Sequence, residues 1–211
     1  MNKKMGLIPL LLLFFGLLSF GQVATVNLGN SKQVIDGFGA SSAWCGTIGD
    51  NVMNSLYGDL GFSILRLRIE EGIGDNWKTG DFSKWSTELA NAKKAYAKGA
   101  KVFASPWNPP ASMQEDFTKT GDASAQRLRT DKYTEYVSYL NAYVKYMKDN
   151  GVNLHAISVQ NEPDYATDWN WWTPTEMLNF MKNYAGGINC NVIAPESFQY
   201  LKNMSDPLLN L

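Results

Sequence analysis

An α/β fold built on a parallel sheet is the architecture this sequence predicts, and three observations carry the prediction. Short apolar runs alternate along the chain with stretches of helical periodicity, the order required by a sheet covered with helices. Glycine and proline punctuate the boundaries between them. The residues best suited to chemistry, Trp44, Glu70 with Glu71, "SPWNPP" and "QNEPD", fall just after the C-terminal ends of successive strands. In a (β/α)8 TIM barrel the functional groups gather at that face. A doubly wound sheet fits less well, because "DGFGAS" and "EEGIGD" lack the G-x-G-x-x-G spacing of a dinucleotide site. About five β/α units can be counted in order, where a closed barrel has eight in about 250 residues. The expected fold is an incomplete TIM barrel.

The elements follow in chain order. "MNKKMGLIPLLLLFFGLLSFGQVAT" opens with Lys3 and Lys4, then an apolar run from Leu7 to Phe20. That run is shorter than the roughly 18–20 residues of a membrane span, and it reads as a secretory signal peptide over residues 1–24. The expectation is a secreted protein with no membrane segment once the signal is removed. "QVIDGFGAS" (Gln33–Ser41) and "SILRLRI" (Ser63–Ile69) read as the first two strands. "STELANAKKAYAKG" reads as a helix capped by Ser86 and stopped at Gly99, with Leu89, Ala92 and Tyr96 on its buried stripe.

"KVFASP" (Lys101–Pro106) is the third strand, and a long loop follows it. Tyr133, Val137, Leu140, Val144 and Met147 then recur every three to four residues in an amphipathic helix ending at Gly151. "LHAISVQ" is the fourth strand. "TPTEMLNFMKNYAGG" carries a full helix-start signal, with Thr173 as cap, Pro174 first and Glu176 closing a capping box. "NVIAP" (Asn191–Pro195) is the fifth strand.

Composition excludes several function classes. With 18% charged residues and a net charge of −1 there is no basic surplus to neutralise phosphates, so no nucleic-acid partner is expected. A lone His155 and two cysteines outside any metal spacing leave no metal site, and no cofactor motif is present. Cys45 follows the first strand and Cys190 precedes the fifth, which puts them at opposite ends of the sheet. A disulfide spans only about 5.5–6 Å between Cα atoms, so the pair is expected to be unbonded. Seven Trp and ten Tyr are the compositional anomaly, a supply of flat surface suited to sugar rings.

The stretch "ISVQNEPDYATDWNWWTP" focuses that surface. Pro163 biases Glu162 away from helical backbone toward an extended conformation. Alternation puts Ala156, Ser158, Gln160 and Glu162 on one face of the strand and His155, Ile157 and Val159 on the other. Glu162 is thereby aimed into the barrel mouth. A carboxyl held among aromatic rings is disfavoured in its charged form, which suits a proton donor. Tyr165 is a candidate hydrogen-bond partner for it. Of Trp169, Trp171 and Trp172, one or two should pack in the core and at least one, Trp169 foremost, should line a subsite. Trp44 is a second candidate platform.

The ordered set "LGFSILR", "FASPWNPPASM", "VQNEPDYA" and "IAPESFQYLKNMSDP" resembles glycoside hydrolase family 30, specifically its bacterial endo-xylanase and glucuronoxylanase branch. The resemblance runs from about Val26 to the C-terminus, so residues 25–211 are expected to form the N-terminal part of the catalytic barrel. It implies a secreted, retaining β-glycanase that hydrolyses xylan, and the protein is expected to be a monomer. In the family pattern Glu162 matches the acid/base, Asn161 the residue that binds the sugar 2-hydroxyl, Trp107 a platform tryptophan and Arg66 the arginine that steadies the nucleophile. The family's nucleophile ends a seventh strand, which lies beyond this sequence. Glu196 follows the fifth strand, but its position suits binding of backbone or Arg groups. The alternatives are a catalytically inactive truncated fragment or a carbohydrate-binding remnant, and a glucosylceramidase-type β-glucosidase or β-1,6-glucanase within the same family.

Overall fold

The computed structural model describes residues 24–27, 29–30, 32–117, 125–165, 169–209 and 211. All of the expected signal peptide except Ala24 lies outside them. The chain divides after Ile35, and the architecture below belongs to Asp36–Leu211. In the preceding unit the Asn27 side chain accepts the Gly29 N–H at 3.0 Å and holds a turn.

The element order is β1 (Gly39–Ser41), α1 (Asp50–Asn54) running into a π turn (Ser55–Asp59), β2 (Ile64–Ile69), α2 (Ser86–Tyr96), β3 (Lys101–Pro106), β4 (Gln114–Asp116), β5 (Gln126–Leu128), α3 (Tyr133–Asp149), β6 (Ala156–Ser158), α4 (Pro174–Asn183), β7 (Val192–Ile193) and α5 (Lys202–Ser205). Five strands form one sheet in the order β1-β2-β3-β6-β7, every neighbouring pair parallel. Each is followed by a helix, so the described residues contain the five β/α units that the sequence predicts. The long loop after β3 holds an additional antiparallel ribbon, β4 with β5.

Register decides which side chains meet. Ser41 pairs with Arg66 and Arg66 with Phe103. Arg68 pairs with Ser105, and Phe103 with Ala156. Paired residues share a face, and along β2 the alternation is strict: Leu65, Leu67 and Ile69 are buried, while Arg66 and Arg68 between them are half-buried. The apolar set joins Ala92, Val102, Ala104, Leu140, Ile157 and Val159 in the core under the helices. The opposite face carries the two arginines toward the strand ends.

Several elements depart from the sequence expectation for local reasons. The stretch Gln33–Ser41 pairs only over Gly39–Ser41, because the Phe38 carbonyl accepts both the Ser63 and Ile64 N–H groups. There β1 crowds β2 so closely that a Cβ on Gly39 would meet the Ile64 carbonyl oxygen at 1.9 Å. Ser86 does not cap α2. A 3-10 turn, Ser83–Trp85, leads into that helix, and the Ser86 hydroxyl donates back to the Ser83 carbonyl at 2.7 Å.

On α3 the buried stripe is tyrosine: Tyr133, Tyr136, Tyr139 and Tyr143 are buried with Leu140 and Met147, while Val137 and Val144 are only half-buried. The tyrosines close around Trp85, with Tyr143 at 4.9 Å and Tyr139 at 5.8 Å between ring centroids. On α4 the capping box is formed as expected. Thr173 Oγ1 accepts the Glu176 N–H at 3.0 Å, and Glu176 accepts the Thr173 N–H at 2.8 Å.

Candidate active site

The C-terminal ends of β1, β2, β3 and β6 converge on a cavity of about 320 Å³ lined by Ser41, Ala43, Trp44, Arg66, Trp107, Asn161, Glu162 and Trp169. Of the seven residues singled out from the sequence, six line this cavity, and Tyr165 sits behind it.

Arg66 is the organising cation. Its Nη2 donates to Asn161 Oδ1 at 2.6 Å and its Nε to Ser105 Oγ at 3.2 Å. Its guanidinium lies 4.5 Å over the Trp107 ring. Ser105 in turn donates to Glu196 Oε1 at 3.1 Å, and Arg66 stands 3.5 Å from the same oxygen. Glu196 therefore binds an arginine, as expected from its position. Ser105 carries no sequence signal of its own. It is found only through the register that sets it opposite Arg68.

Asn161 is buried, with 4% of its surface exposed, and its N–H donates to the Pro106 carbonyl at 2.8 Å. Its Oδ1 is taken by Arg66, while its Nδ2 has no partner among the described residues. An orphan donor at the wall of a cavity is available to a ligand oxygen, because leaving such a group unpaired costs about 1–3 kcal/mol. Gln160 fixes the base of this corner, donating to the carbonyls of Trp107 at 2.6 Å and Asn161 at 2.9 Å.

Glu162 does not have the extended backbone expected from the following proline. Its φ is +45°, a left-handed conformation uncommon outside glycine and asparagine. The reason is a tight turn: pairing of β6 ends at Ser158, and the Tyr165 N–H folds back onto the Glu162 carbonyl at 2.9 Å. The carboxyl still reaches the cavity, and Trp169 Nε1 donates to its Oε2 at 3.0 Å. The partner of that carboxylate is thus the indole. Tyr165 contributes its backbone there, while its ring packs against Trp169 at 5.8 Å and Phe198 at 4.9 Å.

The three cavity tryptophans touch one another. Trp44 meets Trp107 edge-on at 5.0 Å and lies nearly parallel to Trp169 at 6.3 Å. Trp44 is 62% exposed, and Trp107 is buried. The remaining tryptophans of the loop pack elsewhere: Trp172 is in the core on Tyr133, and Trp171 stacks on Phe117 at 4.6 Å.

Two side chains fasten the loops around the cavity. Asn170, fully buried, donates to Asn108 and Gln114, joining the loop after β6 to the one after β3. Asp164 accepts from Ser197 Oγ at 2.6 Å and from the Phe198 N–H at 2.7 Å, joining the loops after β6 and β7. Glu70 and Glu71 both pair with Arg68. Among the described residues no group of His, Cys, Asp and Glu could hold a metal ion, and both cysteines are unbonded.

Comparison with known proteins bears on the fold that carries this cavity. The profile of the glycosyl hydrolase family 30 TIM-barrel domain matches residues 76–185. The glucuronoxylanase XynC of Bacillus subtilis strain 168 is 53% identical over 192 residues, covering 88% of this chain and 43% of that protein. A crystal structure of a family 30 endoxylanase from Clostridium papyrosolvens C71 superposes with a TM-score of 0.85 at 83% identity, covering 88% of this chain and 48% of that one. A family 30 subfamily 8 xylanase from Clostridium acetobutylicum superposes at 0.80 with 45% identity, again covering 88% and 48%. The chain thus spans somewhat under half the length of each of these relatives. Five β/α units in barrel order and the family profile across the middle of the chain support one conclusion: the chain belongs to glycosyl hydrolase family 30.

Proposed function

We propose that this chain carries the acid/base side of a retaining, endo-β-1,4-xylanase-like active site, with Glu162 as the proton donor. The observation that carries the reading is the convergence of Glu162 and Asn161 on a cavity walled by Trp44, Trp107 and Trp169. In a retaining glycosidase one carboxylic acid protonates the departing glycosidic oxygen. The second, about 5–5.5 Å away, attacks the anomeric carbon, and the first then deprotonates the water that releases the product. Asn161 Nδ2 is free to donate to the sugar 2-hydroxyl, a contact that strengthens in the transition state. The tryptophan faces offer apolar surface to pyranose rings. Arg66 holds Asn161 in place and presents a fixed positive charge to a carboxylate nucleophile. The resemblance assigns that nucleophile to a seventh strand, outside the five described here.

The substrate class is xylan, supported by the named activities of the relatives. Export to the cell exterior is part of the same reading. It rests on the basic and apolar N-terminal segment, and no helix among the described residues is long and apolar enough to cross a membrane.

The test is reducing-sugar release from glucuronoxylan by a protein in which this chain is continued through the seventh-strand nucleophile, and by its Glu162→Gln variant. The expected result is activity in the parent and a loss of about 10²–10⁴-fold in the variant. On an aryl xyloside with a good leaving group, azide should accelerate the variant and yield the glycosyl azide, because azide attacks the glycosyl-enzyme without needing a general base, and that product would mark the acid/base. An unchanged rate in Glu162→Gln would overturn the assignment.

A further inference from the structure

We propose that Glu88, a buried carboxyl on α2 outside the strand ends, is the positioning residue for the Trp44 platform. The proposal rests on the reading of Trp44 as a sugar-contacting residue. Trp44 needs such help. It is exposed, its φ is +58°, and among the described residues its ring is supported by an edge contact to Trp107, the face of Trp169 and the guanidinium of Arg68 at 5.0 Å. A left-handed residue in an open loop returns to ordinary backbone unless its neighbours are fixed.

Glu88 fixes both neighbours that matter. It is 7% exposed, and the Ser42 hydroxyl donates to its Oε2 at 2.5 Å. Ser42 is fully buried two residues before Trp44. Its N–H donates to the Arg66 carbonyl and its own carbonyl accepts the Cys45 N–H, both at 3.0 Å, so it brackets the turn that Trp44 occupies. The backbone of Arg68, the residue whose guanidinium lies against the Trp44 ring, also faces the Glu88 carboxyl and works against the upward push of burial on it. A single carboxyl thus ties the root of the Trp44 turn to the support beneath its ring. On that side of Trp44, Trp44 itself, Arg68 and Glu88 line a second hollow of about 180 Å³.

The position is chemically expensive. Burial pushes the Glu88 carboxyl above its ordinary value of 4.5, against the opposing pull of the Ser42 and Arg68 hydrogen bonds. An apolar residue would hold α2 on the sheet without that penalty. It would leave Ser42 Oγ only the Arg66 carbonyl, at 3.4 Å, to donate to.

The test is a set of variants of the intact protein assayed on xylan. Ser42→Ala and Glu88→Ala are expected to raise KM by about five- to tenfold with kcat within about twofold. Glu88→Gln keeps an accepting oxygen and should stay within about twofold of the parent. On a Trp44→Ala background Ser42→Ala should add nothing, since two changes acting through one residue are not additive. A second readout needs no activity: the circular-dichroism exciton band of the Trp44–Trp107 pair should be lost in Ser42→Ala as it is in Trp44→Phe. Equal KM effects with and without Trp44, or an intact band in Ser42→Ala, would overturn the proposal. If Trp44→Ala itself leaves KM unchanged, the sugar-platform reading of Trp44 fails, and the exciton band alone decides whether Glu88 positions the ring.

Discussion

Trp169 donates its indole N–H to Glu162 Oε2 at 3.0 Å, and that one bond assigns the two carboxyl oxygens different tasks. With Oε2 occupied as an acceptor, Oε1 is the oxygen left, in the proposed reaction, to carry the proton toward a leaving group. A hydrogen bond to a charged group is worth about 1.5–3 kcal/mol. Trp169→Phe keeps the ring and removes the donor. It is expected to lower kcat/KM by about ten- to a hundredfold, with the thermal midpoint nearly unchanged. Steady-state kinetics on an aryl xyloside with a poor leaving group would check it, since such a substrate depends most on the proton donor.

Arg66 makes two hydrogen bonds and a ring contact with one planar group. A lysine can supply the charge but not the fork. Arg66→Lys should therefore release Asn161 and Ser105 together, lowering kcat/KM by about a hundredfold. The accompanying change is a loosened Asn161, visible as a shifted side-chain amide resonance in the NMR spectrum. An unshifted amide would count against this account.

The tyrosines of α3 make opposite predictions for the same substitution. Tyr136 OH donates to the buried Val159 carbonyl at 2.7 Å, and burial holds its hydroxyl well above the usual tyrosine range. Tyr143 OH is equally buried with no partner among the described residues. Tyr136→Phe should destabilise by about 1–2 kcal/mol, and Tyr143→Phe should be neutral or stabilising. Urea denaturation of the two variants side by side would show it.

Glu88 gives stability a pH dependence of known sign. Its carboxyl is raised above 4.5 in the folded protein, chiefly by burial, so the folded state binds its proton more tightly than the unfolded chain. That contribution is fully present below about 4.5 and is lost as pH climbs through the raised value. Glu88→Gln removes the penalty of the buried charge. Its thermal midpoint should match the parent near pH 4 and exceed it increasingly toward pH 8, in scanning calorimetry at both ends. A constant difference across that range would mean that the charge of Glu88 is not what burial penalises.

Much of the frame was legible in the sequence because periodicity and punctuation report burial directly. The capping box at Thr173 and Glu176 formed as its spacing requires, and β3 spans the residues its apolar run marks. What failed to show was decided by neighbours distant in the chain. The alternation that placed Val137 and Val144 in the core of α3 could not anticipate that Trp85, from another unit, selects the tyrosines instead. The β4–β5 ribbon pairs polar residues such as Glu115 with Arg127, which carry no hydrophobic period. At the cavity, the strand-end positions of Glu162, Asn161 and Trp107 followed from sequence, and Arg66 from the family resemblance. The partner of the Glu162 carboxyl did not, since Trp169 reaches it only because the chain turns at a left-handed residue.

That turn belongs to a pattern. Four described residues other than glycine have positive φ, and three of them, Trp44, Glu162 and Glu196, follow β1, β6 and β7 at the same end of the sheet. Each conformation costs a bulky residue about 1–2 kcal/mol relative to ordinary backbone. Glycine would sit at any of the three without complaint, and a sequence chosen for durability alone would put it there. The cavity is in this sense a wound spring. Its side chains are kept pointing inward at the expense of the fold that carries them, so the most stable version of this protein is not the version that aims these side chains into the cavity.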